Sequence, residues 1–227
     1  MFETHPVGLT GVLCVLGSSI CEETGRAVSA LRRAVSEAGL SGVTETVPSY
    51  CSLLVCYDAL VTDYDTVAAA LRRLHDGVDG AEERAPRIVE IPVCYGGAFG
   101  PDLPFVAEHA GLSEEEVIRL HTGTDYRIYM LGFLPGFPYL GGLDSRLHTP
   151  RLATPRTAIP AGSVGIGGQQ TGIYPLASPG GWQLIGRTPL KLFSPGAPLP
   201  YAAGDMIRFV SVTPEEYAEL EVSAHGC

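Results

Sequence analysis

Apolar residues in the first part of the chain recur at two spacings, one typical of helices and the other of short strands. Ala27, Leu31 and Val35 fall on one helical face, and Gly39 stands where such a helix would end. We predict a strand at 11–17, a helix at 22–38, strands at 43–47 and 52–57, a helix at about 64–75 and a strand at 87–93. The order βαββαβ is that of a ferredoxin-like split unit.

The pattern changes after about residue 88, where proline and glycine become frequent and a domain boundary is expected. Two short helices are predicted next, at about 102–110 and 114–121. Ser113 and Glu116 have the spacing of a capping box, in which each side chain satisfies the free backbone donor of the other residue. The second of these helices should therefore begin at Ser113.

Beyond the two helices, short β-branched and aromatic runs alternate with turns. These runs lie at 127–133, 163–166, 172–174, 183–188 and 206–210. Many short strands separated by turns predict a small barrel or sandwich. We therefore predict two domains, an α+β domain at 1–88 and a mainly-β domain at 89–227.

Charge and hydropathy limit the partners that the chain can have. The formal net charge of the 227 residues is −10, which argues against binding to nucleic-acid phosphates, because that requires clustered Lys and Arg. No apolar run approaches the ~20 residues of a membrane span. The N-terminus has no basic region ahead of an apolar core, so we expect a cytoplasmic protein rather than a secreted one.

Residue types that carry redox or nucleotide chemistry form no motif here. The six cysteines include no Cys-x-x-Cys pair, and in a cytoplasmic protein we expect them to be reduced and mostly buried. The single lysine, Lys191, lacks the flanking Gly and Ser or Thr of a P-loop. If ATP is used, we expect another subunit to bind it.

Histidine and serine offer only weak candidates for a metal site or a nucleophile. No two histidines have the i, i+4 spacing of a helical metal site, and His109 and His121 are expected to be cationic rings at helix ends. Ser163 is one residue short of a Gly-x-Ser-x-Gly elbow, with His148 and Asp144 upstream. The glycines after Ser163 forbid the helix that an elbow needs, so we expect a strand or turn there. No metal is expected, and the catalytic residues are unknown.

A better candidate site is a cluster of neutral hydrogen-bonding and aromatic residues on glycine-rich turns. Its members are Gln169, Gln170, Thr171, Tyr174, Trp182, Gln183 and Arg187. Such groups can orient a small polar ligand or a partner loop. Trp182 and Tyr174 can equally be core residues, with Arg187 paired to a surface carboxylate. Composition leaves both interpretations open.

Several long blocks of the sequence resemble one family. The blocks are 91–97, 100–103, 130–140, 160–166, 170–175 and 178–188. They are similar to the signature blocks of the bacterial 5-oxoprolinase B-subunit family, long called allophanate hydrolase subunit 1, which includes the sporulation-kinase inhibitor and carries carboxyltransferase subdomains C and D. The resemblance extends from about residue 8 to about residue 212. Ordered blocks of this length are far more specific than a lone short motif.

The resemblance implies an N-terminal ferredoxin-like domain and a C-terminal cyclophilin-like β-barrel. It also implies two partners, homologues of the C and A subunits of 5-oxoprolinase, with which the chain opens 5-oxoproline to glutamate at the expense of ATP. The chain alone would bind no cofactor and be inactive. The residues implied in ligand positioning or partner contact are Phe137, Gln170, Thr171, Tyr174, Trp182, Gln183 and Arg187.

Alternative functions stay open. The resemblance also allows an inhibitor of a sensor histidine kinase, for which Phe133, Phe137 and Tyr139 on a proline-rich turn could form an exposed apolar face. A part in a urea or allophanate carboxyltransferase complex is a second alternative. A prolyl isomerase is suggested by the barrel class alone and is the weakest, because a fold does not determine an activity.

Overall fold

The structure, a computed structural model, describes residues 2–77 and 86–225. The chain divides into two compact units, Met1–Ala85 and Pro86–Cys227. Within the described residues, no helix has both the length and the apolar character that crossing a bilayer requires.

The first unit combines a four-stranded antiparallel sheet with two helices. Its elements are β1 (Glu3–Val7), β2 (Gly11–Val15), α1 (Glu22–Ala38), β3 (Val43–Pro48), β4 (Ser52–Tyr57) and α2 (Tyr64–Gly77), with the strand order β1-β2-β4-β3. Alternate residues of the central strands, such as Val12 and Val55, form one core with Leu31 of α1 and Leu71 of α2. Both helices and the strands predicted near 11–17, 43–47 and 52–57 are confirmed.

The predicted βαββαβ order is wrong in two places. The strand predicted at 87–93 is β5 (Ile88–Tyr95), and it pairs with strands of the second unit. The fourth strand of the first sheet is β1 instead, which was not predicted because its residues are mostly exposed and lack an apolar alternation. The first unit therefore has the order ββαββα, and the ferredoxin-like arrangement is not confirmed.

The second unit is built around a closed seven-stranded barrel. Its strands are β5, β6 (Asp125–Leu131), β7 (Pro138–Gly141), β9 (Ser163–Gly167), β10 (Gln170–Ile173), β12 (Gln183–Arg187) and β13 (Met206–Ser211), in the spatial order β10-β7-β6-β13-β5-β12-β9. β13 runs parallel to β5. Two further strands, β8 (Arg156–Ile159) and β11 (Ser178–Gly180), form a separate antiparallel pair. The barrel confirms the mainly-β prediction for this part of the chain.

The described part of the second unit also contains the α-helices α3 (Leu103–Ala110), α4 (Glu114–Thr122) and α5 (Pro214–His225), together with a short 3-10 helix at Ser145–Leu147. The predicted capping box begins α4, where Glu116 N donates to Ser113 Oγ at 3.2 Å and Ser113 N donates to Glu116 Oε2 at 3.0 Å. Val106 of α3 and Val117 of α4 are fully buried against the residues that fill the barrel. The two helices that precede β6 are thus confirmed.

The cysteines are less buried than predicted. Cys14 and Cys94 are buried, whereas Cys21, Cys51 and Cys56 are half-buried, and all five have free thiols. Burial raises the pKa of the Cys14 thiol to about 11. Cys227 lies outside the described residues.

Candidate functional site

Three aromatic side chains from separate elements form one cluster, here called the aromatic cluster. Phe137 precedes β7, Tyr174 follows β10 and Trp182 precedes β12. The ring centroid of Phe137 lies 5.3 Å from that of Tyr174 and 5.6 Å from that of Trp182, and the rings meet edge to face, a favoured arrangement. All three side chains are at most 6% exposed. Their first role is therefore packing, and little of their surface is open to a ligand.

Glycine lets the aromatic cluster lie directly against the barrel backbone. A Cβ atom at Gly167 would come within 2.5 Å of the Trp182 ring. A Cβ atom at Gly172 would come within 3.1 Å of both Phe137 and Trp182. Since interiors are close-packed, a larger residue at either position would displace a ring. The glycines of β9 and β10 therefore set the position of the indole.

Thr171 belongs to a buried hydrogen-bond chain whose direction follows from proton counting. The Thr171 hydroxyl donates its one proton to the Gly165 carbonyl oxygen at 3.1 Å. It therefore accepts from the Nε2–H of His121, 2.8 Å away. The Nδ1 atom of this neutral ring is unprotonated and accepts from the Tyr95 hydroxyl at 2.8 Å. This chain fixes His121 as the Nε2–H tautomer and ties α4 to β10.

His121 is neutral, and the expectation of a cationic ring at a helix end is wrong. The side chain is 0% exposed and stacks on Phe209 with ring centroids 4.5 Å apart. Burial lowers the pKa of His121 to about 3. The ring faces the apolar barrel core rather than solvent, so desolvation outweighs any attraction to the helix terminus. His121 acts as a neutral link to the strand that begins at Gln170.

Gln170 and Gln183 contact one loop beside the aromatic cluster. The buried Gln183 donates from Nε2 to the Pro150 carbonyl oxygen at 2.9 Å. Gln170 is half-exposed, and its Oε1 accepts from Nη2 of the exposed Arg151 at 3.4 Å. The Arg151 guanidinium carbon lies 5.7 Å from the centroid of the Trp182 ring, within cation–π range. Arg151 was not predicted, because no motif or spacing in the sequence singles it out.

Asp102 and Arg156, also not predicted as site residues, anchor the start of β12. Asp102 Oδ2 accepts from the Leu184 backbone N–H at 2.6 Å, and Oδ1 accepts from Arg156 Nη2 at 2.7 Å. Arg156 Nη1 in turn donates to the Trp182 carbonyl oxygen at 3.3 Å. This partly buried ion pair holds the backbone that carries Trp182 and Gln183. The only sequence signal was that Asp102 falls in a block shared with the family.

Arg187 lies apart from the other predicted site residues. It is at the opposite end of β12 from Gln183, about 13 Å away at 3.3 Å per residue. In register it pairs with Ser163 and Cys94. Within residues 2–77 and 86–225 it has no carboxylate partner, and its buried Nε has no hydrogen-bond partner, so the predicted surface ion pair is not found. The structure thus groups five predicted residues around the aromatic cluster and its loop: Phe137, Gln170, Tyr174, Trp182 and Gln183. Thr171 is next to Gln170 in β10, but its side chain bonds to His121, and Arg187 lies apart from the cluster.

Other candidate chemistry from the sequence is not assembled. Ser163 lies buried in β9 rather than on a strand-to-helix elbow. The Asp144 carboxylate pairs with Arg146 at 2.6 Å, which lowers the pKa of Asp144 to about 2. Among the described residues, no group of three or more His, Cys, Asp or Glu side chains could hold a metal ion. The region offers neutral hydrogen-bonding groups beside packed aromatic rings, together with an arginine, and this set is suited to orienting a small polar ligand.

Comparison with known proteins identifies relatives over most of the chain. Residues 2–202 match the family described as carboxyltransferase domain, subdomain C and D. The 5-oxoprolinase B subunit of Bacillus subtilis is 42% identical over 95% of this chain and 95% of its own. The 5-oxoprolinase B subunit of Escherichia coli O157:H7 is 48% identical over 75% of this chain and 79% of its own.

Solved structures agree with this match. The crystal structure of the protein named TTHA0988 is 39% identical and superposes with a TM-score of 0.79 over 90% of this chain, which spans only 40% of that longer chain. The Kluyveromyces lactis urea carboxylase is 20% identical and shows the same fold, with a TM-score of 0.82 over 98% of this chain and 23% of its own. From these matches, the chain belongs to the 5-oxoprolinase B-subunit family and carries the carboxyltransferase domain, subdomain C and D.

Proposed function

We propose that this chain is the B subunit of a cytoplasmic, ATP-dependent 5-oxoprolinase that converts 5-oxoproline to glutamate. The observation that carries the proposal is the 42% identity to a protein named as a 5-oxoprolinase B subunit over 95% of both chains. Homologues of the C and A subunits complete the enzyme. The isolated chain is inactive, and the assembled complex uses the ATP.

The site supports a positioning role in this reaction. A lactam carbonyl is a poor electrophile, and transfer of a phosphoryl group from ATP to its oxygen makes attack by water feasible. In this scheme a partner subunit binds the nucleotide. The exposed Arg151 and the half-exposed Gln170 contact the ligand beside the aromatic cluster, while Gln183 and Thr171 hold the neighbouring backbone. Preorganised groups of this kind raise the rate by fixing the reacting geometry.

Reconstitution tests the proposal. The chain is co-expressed with homologues of the A and C subunits, and glutamate release from 5-oxoproline is measured with and without ATP. We expect ATP-dependent release by the full assembly and none by this chain alone. Preparations from which one of the three chains is omitted are the controls. Turnover by the chain alone would refute the non-autonomous role, and an inactive full assembly would refute the substrate.

The two alternatives predict other outcomes of the same preparation. The fold shared with urea carboxylase favours a carboxyltransferase complex, which would act on urea-derived substrates instead. A kinase inhibitor would require an exposed apolar face. Of its three proposed residues, Phe133 is 64% exposed, whereas Phe137 is buried and Tyr139 half-buried. Inhibition of histidine-kinase autophosphorylation by this chain, lost in Phe133→Ala, would support that alternative.

A further inference from the structure

Arg151 has an unusual setting for an exposed arginine. Its guanidinium carbon lies 5.7 Å from the centre of the Trp182 ring, and its Nη2 reaches Gln170 Oε1 at a long 3.4 Å. It directly follows Pro150, whose carbonyl oxygen is held by the buried Gln183. The bond to Gln183 therefore anchors the backbone next to Arg151, and the cation–π contact with Trp182 supports the guanidinium group. Among the described residues, the groups that order this side chain are neutral.

The charge around this arginine is not balanced. Arg156, the other cation beside the aromatic cluster, is neutralised by Asp102 at 2.7 Å. For Arg151, no carboxylate partner is found in the part of the chain that the structure describes. Burial raises the pKa of the Tyr174 hydroxyl, while the charges of Arg151 and Arg156 act in the opposite direction, so both cations are felt at the cluster. This excess positive charge occurs in a chain whose formal net charge is −10.

We propose that Arg151 binds the carboxylate of the small acid substrate at the edge of the aromatic cluster. The inference rests on the proposed function and names the group in this chain that recognises the charged end of 5-oxoproline. A planar guanidinium can donate two parallel hydrogen bonds to a carboxylate. The cation–π contact with Trp182 preorients that fork, and the long contact with Gln170 is exchanged for the stronger, charge-assisted bonds.

Gln170 is placed to recognise the lactam ring of the same ligand. Gln170 carries both an acceptor and a donor amide group, as the lactam does, so the two can pair through N–H and C=O. A ligand that spans Arg151 and Gln170 would place its ring beside Trp182. The neutral lactam 2-pyrrolidinone lacks the acid group. It should therefore pair with Gln170 but make no ion pair with Arg151.

Steady-state kinetics of the full assembly test this assignment. Arg151→Gln should raise the KM for 5-oxoproline about tenfold or more, with a smaller change in kcat, because a charge-assisted pair is lost. Arg151→Lys should fall between wild type and Arg151→Gln, since lysine keeps the charge but lacks the fork. Arg119→Gln, which removes an exposed arginine from α4 of the same unit, is the matched control and should leave KM unchanged.

Inhibition by 2-pyrrolidinone separates recognition from a merely structural role. The neutral lactam should inhibit wild type and Arg151→Gln equally. Wild type should therefore prefer 5-oxoproline to 2-pyrrolidinone, and the variant should lose this preference. A weakening of both ligands to the same degree, or an unchanged KM, would overturn the assignment while leaving the proposed function intact. A wild-type assembly that fails to turn over 5-oxoproline would instead refute the proposed function, and the named ligand with it.

Discussion

Lowering the pH from 7 to 5 should destabilise the barrel unit through His121. Burial lowers the pKa of this ring to about 3, whereas an unfolded histidine titrates near its ordinary value of 6.5. Below pH 6.5 the unfolded chain therefore binds a proton that the folded chain excludes. Stability from this residue is full above pH 6.5 and falls as the pH drops, until the folded ring also protonates near pH 3.

The size of this destabilisation follows from how far the pH lies below the pKa of the unfolded histidine. At pH 5 the solution is about 1.5 pH units below the unfolded pKa, and the folded ring is still almost entirely neutral. Each unit corresponds to about 1.36 kcal/mol, so the free energy of unfolding should decrease by about 2 kcal/mol between pH 7 and pH 5. That is a large share of the stability of an ordinary domain.

Urea unfolding at pH 7, 6 and 5 measures this decrease. The fluorescence of Trp182, the only tryptophan in the chain, reports on the barrel unit specifically. His121→Gln keeps a donor and an acceptor at the site but does not titrate. His109→Gln removes an exposed histidine from the same unit and is the matched control. The loss between pH 7 and pH 5 should be about 2 kcal/mol smaller in His121→Gln than in the control.

Equal pH dependence in the two variants would refute the reasoning, because it would mean that His121 is charged or hydrated in the folded protein. A second measurement does not depend on a variant. Nitrogen chemical shifts of the wild-type ring at pH 7 should show the Nε2–H tautomer that the hydrogen bonds to Thr171 and Tyr95 require. An Nδ1–H tautomer or an imidazolium would contradict the proposed direction of the chain.

Three further substitutions test the aromatic cluster and its edge. Trp182→Ala should lower the free energy of unfolding by about 3–5 kcal/mol, because the indole is 6% exposed and packs against two rings; a loss near zero in urea unfolding would contradict this burial. Gly167→Ala should lower the free energy of unfolding by about 1–3 kcal/mol, since its Cβ would lie 2.5 Å from the Trp182 ring. Gly132→Ala is the control and should change Tm little, because its Cβ would meet its nearest neighbour at 3.8 Å. Equal Tm values for the two variants would argue against the close approach at Gly167. Gln170→Ala should reduce glutamate release by the assembly with an almost unchanged Tm, because the side chain is half-exposed; full activity, or unfolding, would remove Gln170 from the site.

The sequence predicted those elements that are determined by residues close together in the chain. The Ser113 and Glu116 side chains satisfy each other's backbone within one turn, so their spacing alone located the start of α4. β1 was not predicted because its residues are mostly exposed, and within the described residues it pairs with β2 alone. β5 was recognised as a strand but assigned to the wrong sheet. Periodicity reveals which residues are buried, not which distant strand they pair with.

In the candidate site too, features set by neighbouring residues were predictable and contacts between distant residues were not. Glycine turns and aromatic residues pointed to the region around Gln170 and Trp182 from sequence alone. The contacts that organise the region were out of reach, because Asp102 meets Arg156 across 54 positions and His121 meets Thr171 across 50. A histidine at a helix end also looks the same in sequence whether it faces water or a core. Its neutral state became evident only from the side chains packed around it.

The parallel pairing of β5 with β13 has a consequence for how the protein is made. β13 lies between β5 and β6 in the barrel, yet Met206 pairs with Ile88, 118 positions earlier in the chain. During translation the growing barrel must therefore wait as an open sheet, with the edges of β5 and β6 unpaired, until nearly all of the second unit has left the ribosome. The first unit, whose sheet joins strands that are close in sequence, can fold well before that point. The slow step in maturation should be closure of the barrel, and a nascent chain stalled before Met206 would expose two strand edges to aggregation.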